Sequence, residues 1–204
     1  MLAMVFVVPP ASQAERKPFT VVALGDSTTA GTPFPNGAYT RWILERHADW
    51  VVHNRGVNAQ RSDQVLARFE DDVLKLKPDV VVVLAGVNDL FQGRSASEVQ
   101  RNLERLYGKA KAAGIQVAAC TILPYNRMKP GVLSQMRQVN RWIERYAERH
   151  DLLFCDTYAL LENPDSPGTL SGSADGLHPD LNGYRDIGEA VTDTLEIYQL
   201  NKPL

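Results

Sequence analysis

Cysteine is almost absent from this chain: Cys120 and Cys155 are its only two, far apart in sequence and both inside apolar stretches. Two thiols make no disulfide framework, and a domain of this size needs no staple, so a buried reduced pair is expected rather than a bridge. Histidine is scarce as well, at four, and His47, His53 and His150 have no ligand-type partner at metal spacing. No metal and no cofactor is therefore expected. An excess of charge of either sign is missing too. The chain carries 22 basic and 24 acidic residues for a formal net charge of −2, interspersed along its length. That balance points away from nucleic acid or an anionic membrane surface as a partner. No apolar run reaches the length needed to cross a bilayer, and internal repeats, low-complexity tracts and interdomain linkers are lacking. What remains is an ordinary globular composition, 44% hydrophobic and 23% charged, in 204 residues. Such a chain suits one domain, expected over residues 18–204, after an N-terminal tail at 1–17.

In that tail Leu2-Ala3-Met4-Val5-Phe6-Val7-Val8 is apolar, and Ser12-Gln13-Ala14 resembles the small-residue pattern before a signal-peptidase cut. A basic segment in front is missing and the apolar run is short. The preferred expectation is the remnant of an export signal, and hence a periplasmic or secreted location. A cytoplasmic protein with a disordered tail is the alternative.

Five short, β-branched runs are expected as strands, at residues 19–24, 51–54, 80–85, 115–121 and 152–156. Segments of helical periodicity separate them. From Ser62 onward Val65, Leu66, Phe69, Val73 and Leu74 fall on one face, and Pro78 ends that element. Ser95-Ala96-Ser97-Glu98 has the form of a capping box and leads into the stripe Val99, Leu103, Leu106, Tyr107 and Ala110, with Gly114 as the stop. Met136, Val139, Ile143 and Tyr146 mark a further helix, and a last one follows Pro179 through Ile187, Ala190, Val191 and Leu195. Unbroken Val-rich strands alternating with amphipathic helices predict an α/β fold: a parallel sheet covered on both faces, a three-layer α/β/α sandwich. In such a sheet, ligands sit beyond the carboxyl ends of the strands.

The residues at those ends carry chemistry. Asp26-Ser27 follows the first strand, Arg55-Gly56-Val57-Asn58 the second, and Gly86-Val87-Asn88-Asp89 the third. A serine in the turn after a buried strand exposes its hydroxyl, and its N–H lies among the unpaired donors at the start of the next helix. Ser27 can thus be a nucleophile and one oxyanion donor, or Asp26 and Ser27 can simply cap the helix. Near the other end stands Asp175-Gly176-Leu177-His178-Pro179. Pro179 biases His178 away from helical dihedrals, so the imidazole stays on the loop. Asp175 can accept its Nδ1 proton and leave Nε2 to face Ser27; alternatively the pair is only a turn and a cap. Gly56 can offer its N–H and Asn88 its Nδ2–H to an oxyanion, against the plainer roles of turn glycine and turn asparagine.

Ser, Gly, Asn and His in this order, at the ends of the first three strands and before the last helix, resemble the SGNH hydrolase family, also called GDSL esterases. The resemblance runs from Phe19 to about Leu195, through the blocks Gly25-Asp26-Ser27-Thr28-Thr29-Ala30-Gly31, Asn54-Arg55-Gly56, Gly86-Val87-Asn88-Asp89 and Asp175-Gly176-Leu177-His178-Pro179. It implies a flavodoxin-like fold with a five-stranded parallel sheet, Ser27 as nucleophile, Asp175 and His178 as the rest of a triad, and Ser27, Gly56 and Asn88 as the oxyanion hole. Two positions depart from the family pattern: Ala59, where the second block often has a further glycine, and Ala85, where the third often does.

The expected activity is hydrolysis of carboxylic esters through an acyl-enzyme. The core fold nearly uses up the chain and leaves little for a lid or a deep acyl tunnel, which favours short acyl groups such as acetyl on a small-molecule or carbohydrate substrate. The loops 32–39, 91–94 and 124–129 are expected to shape the pocket, although Phe34, Tyr39, Phe91 and Tyr125 can equally pack the sheet edge. Alternatives are a lysophospholipase or thioesterase acting on longer chains, a non-catalytic binding domain of the same fold, and a metal-dependent phosphoesterase with Asp26, Asn88, Asp89 and His178 as ligands. Natural substrate, leaving group and oligomeric state are not readable from these residues.

Overall fold

The computed structural model describes residues 17–126 and 128–201. The apolar stretch and small-residue motif read as an export remnant lie outside the described residues.

The first strand, β1 (Thr20–Gly25), is buried along its whole length. It runs through the short α1 (Ser27–Ala30) and then α2 (Thr40–Arg46) to β2 (Val51–Gly56). After α3 (Ser62–Ala67) and α4 (Phe69–Asp72) comes β3 (Val80–Leu84), a run of four valines and a leucine with every side chain buried. Next follow α5 (Val87–Phe91), the long α6 (Ala96–Ala112), β4 (Gln116–Cys120), α7 (Val132–His150), β5 (Leu153–Cys155), α8 (Thr157–Leu161) and α9 (Leu181–Asn201). The five strands are parallel in the order β2-β1-β3-β4-β5. The chain therefore leaves β1 toward one edge and returns to its other side, which makes the β1/β3 boundary the switch point where a crevice opens.

Strand residues alternate between two cores, as the two-residue period of a strand requires. Val22, Leu24, Val81, Val83, Val117 and Ala119 pack under α3 to α7, against Phe69, Leu103, Leu106, Met136 and Ile143. Val21, Ala23, Val80, Val82, Leu84 and Ala118 face the other way, against Ile43 of α2 and Tyr184, Ile187, Val191 and Leu195 of α9. The second core also holds Cys120 and Cys155, directly opposite each other on β4 and β5, buried and unbridged.

The capping box before α6 forms as expected: Ser95 Oγ accepts the Glu98 N–H, and the Glu98 carboxylate accepts the Ser95 N–H at 2.9 Å. One expected element differs. The single helix read from Ser62 to Pro78 is broken at Arg68 (φ −100°, ψ 6°) and again at Val73 (φ −122°, ψ −59°). Its apolar face is still buried at Val65, Leu66, Phe69 and Val73. The break has a polar cause that periodicity does not register. Arg68 points inward, donating to the Gly25 carbonyl at 2.8 Å and to Gln60 Oε1 at 2.6 Å and pairing with Asp72. The backbone bends around that side chain.

Candidate active site

The turn that follows β1 carries Ser27. Asp26 caps α1, its Oδ1 accepting the Thr28 N–H at 3.0 Å, and Ser27 occupies the first helical position. Asp26 is thus the cap, and the Ser27 hydroxyl, in a residue only 7% exposed, is left for a partner from elsewhere in the chain. The Ser27 N–H makes no hydrogen bond among the described residues, as the first position of a helix predicts.

From the other end of the chain, the segment before α9 brings His178 to that hydroxyl. His178 Nε2 lies 2.9 Å from Ser27 Oγ, and His178 Nδ1 lies 2.6 Å from Asp175 Oδ2. The other Asp175 oxygen accepts the backbone N–H groups of Leu177 and His178, each at 2.8 Å. A carboxylate with its second oxygen held by two amides cannot rotate away from the ring. The segment is tied down further where Ser173 Oγ donates to the His178 carbonyl at 2.7 Å and accepts the Gly176 N–H at 2.9 Å. Gly176, at φ +77°, takes a left-handed turn that lets its carbonyl accept the Asn126 N–H at 2.6 Å. Burial pushes the Asp175 carboxyl up, but the His178 ring and the two amides outweigh it and hold the group well below the ordinary carboxylate range. It is an anion wherever the imidazole needs one.

The donors around Ser27 come from the ends of β2 and β3. Asn88, at 6% exposure, donates one Nδ2–H to the Gln60 carbonyl at 3.0 Å, which orients the amide and leaves its second N–H for a ligand. Gly56 departs from the sequence expectation. Its N–H donates to Asn54 Oδ1 at 2.9 Å and so is engaged within its own turn. What requires glycine there is contact: a Cβ would stand 2.1 Å from the Ala30 nitrogen and 2.5 Å from the Thr29 carbonyl carbon, so α1 can lie on β2 only because none is present. The residue that sequence reasoning passed over is Ala59. It holds φ +61°, a conformation disfavoured for a residue with a Cβ, at the third position of a turn closed by Gln60 N–H donating to the Val57 carbonyl at 3.4 Å. Its N–H makes no hydrogen bond among the described residues. The signal was present in the sequence as a departure, an alanine where a glycine is usual.

Around these groups the aromatic residues divide between packing and exposure. Tyr39 is fully buried, while Phe91 is 53% exposed and sits edge-on to Tyr125 at 5.8 Å. A small cleft of about 10 Å³, room for no more than a water, is lined by Asp26, Thr28, Val87 and Ile122 among others, and by none of Ser27, Asn88 and His178. An open groove of about 480 Å³ runs along Asn36, Ala38, Thr40, Arg41, Leu44 and Glu45, beside α2. None of the residues lining it belongs to the Ser27, His178 and Asp175 chain. Among the described residues, no group of three or more His, Cys, Asp or Glu side chains is placed to hold a metal ion.

The chain is similar to known proteins over most of its length. The model of the GDSL-like lipase/acylhydrolase family matches residues 23–185, which includes Ser27, Ala59, Asn88, Asp175 and His178. Esterase TesA of Pseudomonas aeruginosa is 26% identical over 87% of this chain and 88% of its own length. An acetylxylan esterase of Geobacillus stearothermophilus is 27% identical over 68% of this chain and 69% of its own. Among solved structures, a protein described as lipolytic and of the G-D-S-L family, from Desulfitobacterium hafniense, superposes with a TM-score of 0.75 at 27% identity, covering 86% of this chain and 99% of its own.

Proposed function

The chain belongs to the GDSL-like lipase/acylhydrolase family and is a hydrolase of ester bonds; from that premise we propose that it cleaves small carboxylic esters through Ser27, His178 and Asp175 by way of an acyl-enzyme. The observation that carries this reading is the unbroken hydrogen-bonded chain from Ser27 Oγ through both nitrogens of His178 to Asp175, at 2.9 and 2.6 Å.

As Ser27 Oγ attacks the carbonyl carbon, His178 Nε2 takes its proton, and the carbonyl oxygen gains the charge. Asp175 keeps the Nδ1 proton in place and stabilises the imidazolium that forms. The Ser27 N–H, the free Asn88 Nδ2–H and the Ala59 N–H then hold the oxyanion, with Ala59 in the role expected of Gly56. Collapse of the adduct expels the alkoxide, which takes the proton from His178. Water, deprotonated by the same imidazole, attacks the Ser27 ester, and collapse of that adduct releases the carboxylic acid as the imidazolium returns the proton to Ser27 Oγ.

Short acyl groups, acetyl foremost, are supported by the relative named as an acetylxylan esterase. The apolar stretch Leu2 to Val8 supports export. Among the described residues no helix is long and apolar enough to cross a membrane.

The test is hydrolysis of nitrophenyl esters from acetyl to long acyl by the wild-type protein and Ser27→Ala. Ser27-dependent turnover that is highest for acetyl is the expected result. A long-chain preference would overturn the short-acyl assignment, and hydrolysis surviving in Ser27→Ala would overturn the nucleophile. Asn88→Ala is expected to lower kcat roughly a hundred- to thousandfold, the scale for one oxyanion donor.

A further inference from the structure

Several polar side chains that none of these steps uses converge on one junction, where the segment running from Ala59 into α3 lies against the start of α5. Asp89 directly follows Asn88. Its Oδ2 accepts the Ser62 N–H and its Oδ1 accepts the Ser62 hydroxyl, both at 2.7 Å, while Asn102 of α6 donates to that hydroxyl at 3.0 Å. Ser62 is fully buried and Asp89 is 2% exposed. On either side, Asn88 Nδ2 donates to the Gln60 carbonyl and Arg61 Nη1 donates to Gln92 Oε1, each at 3.0 Å. Residues 60, 61 and 62 are thus gripped in succession by three side chains of α5 and its C-terminal boundary.

A carboxylate is a costly choice for a buried acceptor. Burial pushes the Asp89 carboxyl up, against the pull of the two Ser62 donors. Capping alone does not call for it, because the Ser62 N–H at the start of α3 would be satisfied by a neutral oxygen. Two short bonds from one carboxylate to one residue do more than cap: they fix both the distance and the rotation between the elements that carry them. One of those elements bears Asn88. The other begins three residues after Ala59, whose φ of +61° has no glycine to make it easy.

We propose that Asp89 is a positioning residue for the oxyanion hole: its paired bonds to Ser62 hold the Ala59 N–H and the free Asn88 Nδ2–H at the spacing where both reach one oxygen. This rests on the serine-esterase reading above. Loosening the clasp lets the Ala59 turn relax toward ordinary dihedrals and swing its N–H away, with substrate binding left largely intact.

The test compares wild type, Asp89→Asn, Ser62→Ala and Ser27→Ala in kcat and KM for nitrophenyl acetate and in affinity for a trifluoromethyl ketone, whose adduct with Ser27 places its oxyanion in the same hole. Ser62→Ala removes one of the two bonds and keeps the backbone N–H, so it decides the question if Asp89→Asn fails to fold. Both variants are expected to lower kcat roughly ten- to a hundredfold, no more than loss of one whole donor. KM should stay within about twofold and ketone affinity should fall by the same factor as kcat/KM. A merely structural role would lower the melting temperature yet leave kcat and ketone affinity at wild-type values well below it, and that result overturns the proposal. Hydrolysis surviving in Ser27→Ala overturns the serine-esterase reading and the clasp with it, whereas Ser27-dependent hydrolysis unchanged in both clasp variants removes the clasp alone.

Discussion

Asp26 stands one residue before Ser27 with its carboxyl enclosed, and burial pushes that carboxyl up from an ordinary 3.8 to about 6, against the Thr28 N–H and the neighbouring His178. Because the folded-state value lies above the unfolded one, the folded chain keeps a proton that the unfolded chain has already released between about pH 4 and 6. Stability therefore falls as the pH rises through that window and levels off above it. Asp26→Asn still accepts the Thr28 N–H and is expected to be more stable than the parent at pH 7, by on the order of 3 kcal/mol, with the gain gone at pH 4. Denaturant unfolding at the two pH values checks this. Asp175 acts in the opposite sense: its depressed value contributes stability above the ordinary carboxylate range, lost as the pH falls below it. At Ala59 the strain is conformational. Ala59→Gly is expected to keep Ser27-dependent activity and to raise stability by up to about 1 kcal/mol, since a left-handed φ costs alanine more than the extra freedom costs the unfolded glycine. A fall in melting temperature would show that the turn does not resist alanine. Of these residues, the Ser27, His178 and Asn88 types and positions were legible in the chain. The Ala59 conformation and the engaged Gly56 N–H were not, because a backbone donor has no sequence letter of its own.

Elements were legible where a single period governs them. The α6 stripe and its Ser95/Glu98 box needed only local hydrogen bonding and one buried face, and both formed. The stretch from Ser62 to Pro78 kept its apolar face but not its continuity, since Arg68 is drawn to the end of β1 by a carbonyl from another part of the chain. The contact between α1 and β2 is of the same kind. Gly56→Ala would drive a Cβ into the backbone of Thr29 and Ala30, and backbone cannot move aside as a flexible side chain would. It is expected to lower both stability, by about 1–3 kcal/mol as for overpacking, and kcat, because α1 carries Ser27. A Gly56→Ala protein with wild-type melting temperature and turnover would refute that contact. Ser95→Ala, by contrast, is expected to cost about 1 kcal/mol of stability and leave kcat unchanged, as measured by thermal unfolding beside the ester assay.

For the molecule as a whole, every candidate site residue hangs on one sheet. Ser27, Ala59 and Asn88 follow the ends of β1, β2 and β3, while Asp175 and His178 reach them from just before α9, which packs in the second core. Loss of Ser27-dependent hydrolysis and loss of helical signal should therefore coincide in one thermal transition, as expected for one domain over residues 18–204; two separated transitions would contradict it. A chelator should leave turnover unchanged, because the proposed Ser27, His178 and Asp175 mechanism uses no metal, and sensitivity to it would revive the phosphoesterase alternative. The residues by themselves determined the strand runs, the stripes that cover them, the parallel three-layer class, and which side chains could do acyl-transfer chemistry, because burial period and side-chain type are local properties of a sequence. Only the tertiary structure decided the order β2-β1-β3-β4-β5, the 2.9 Å meeting of His178 with Ser27, the engagement of the Gly56 N–H by Asn54, and the paired bonds of Asp89 to Ser62. The strand order, the His178 meeting and the Asp89 bonds depend on distances between segments far apart in the chain, which are set when the two cores close on the sheet rather than by any neighbour in sequence.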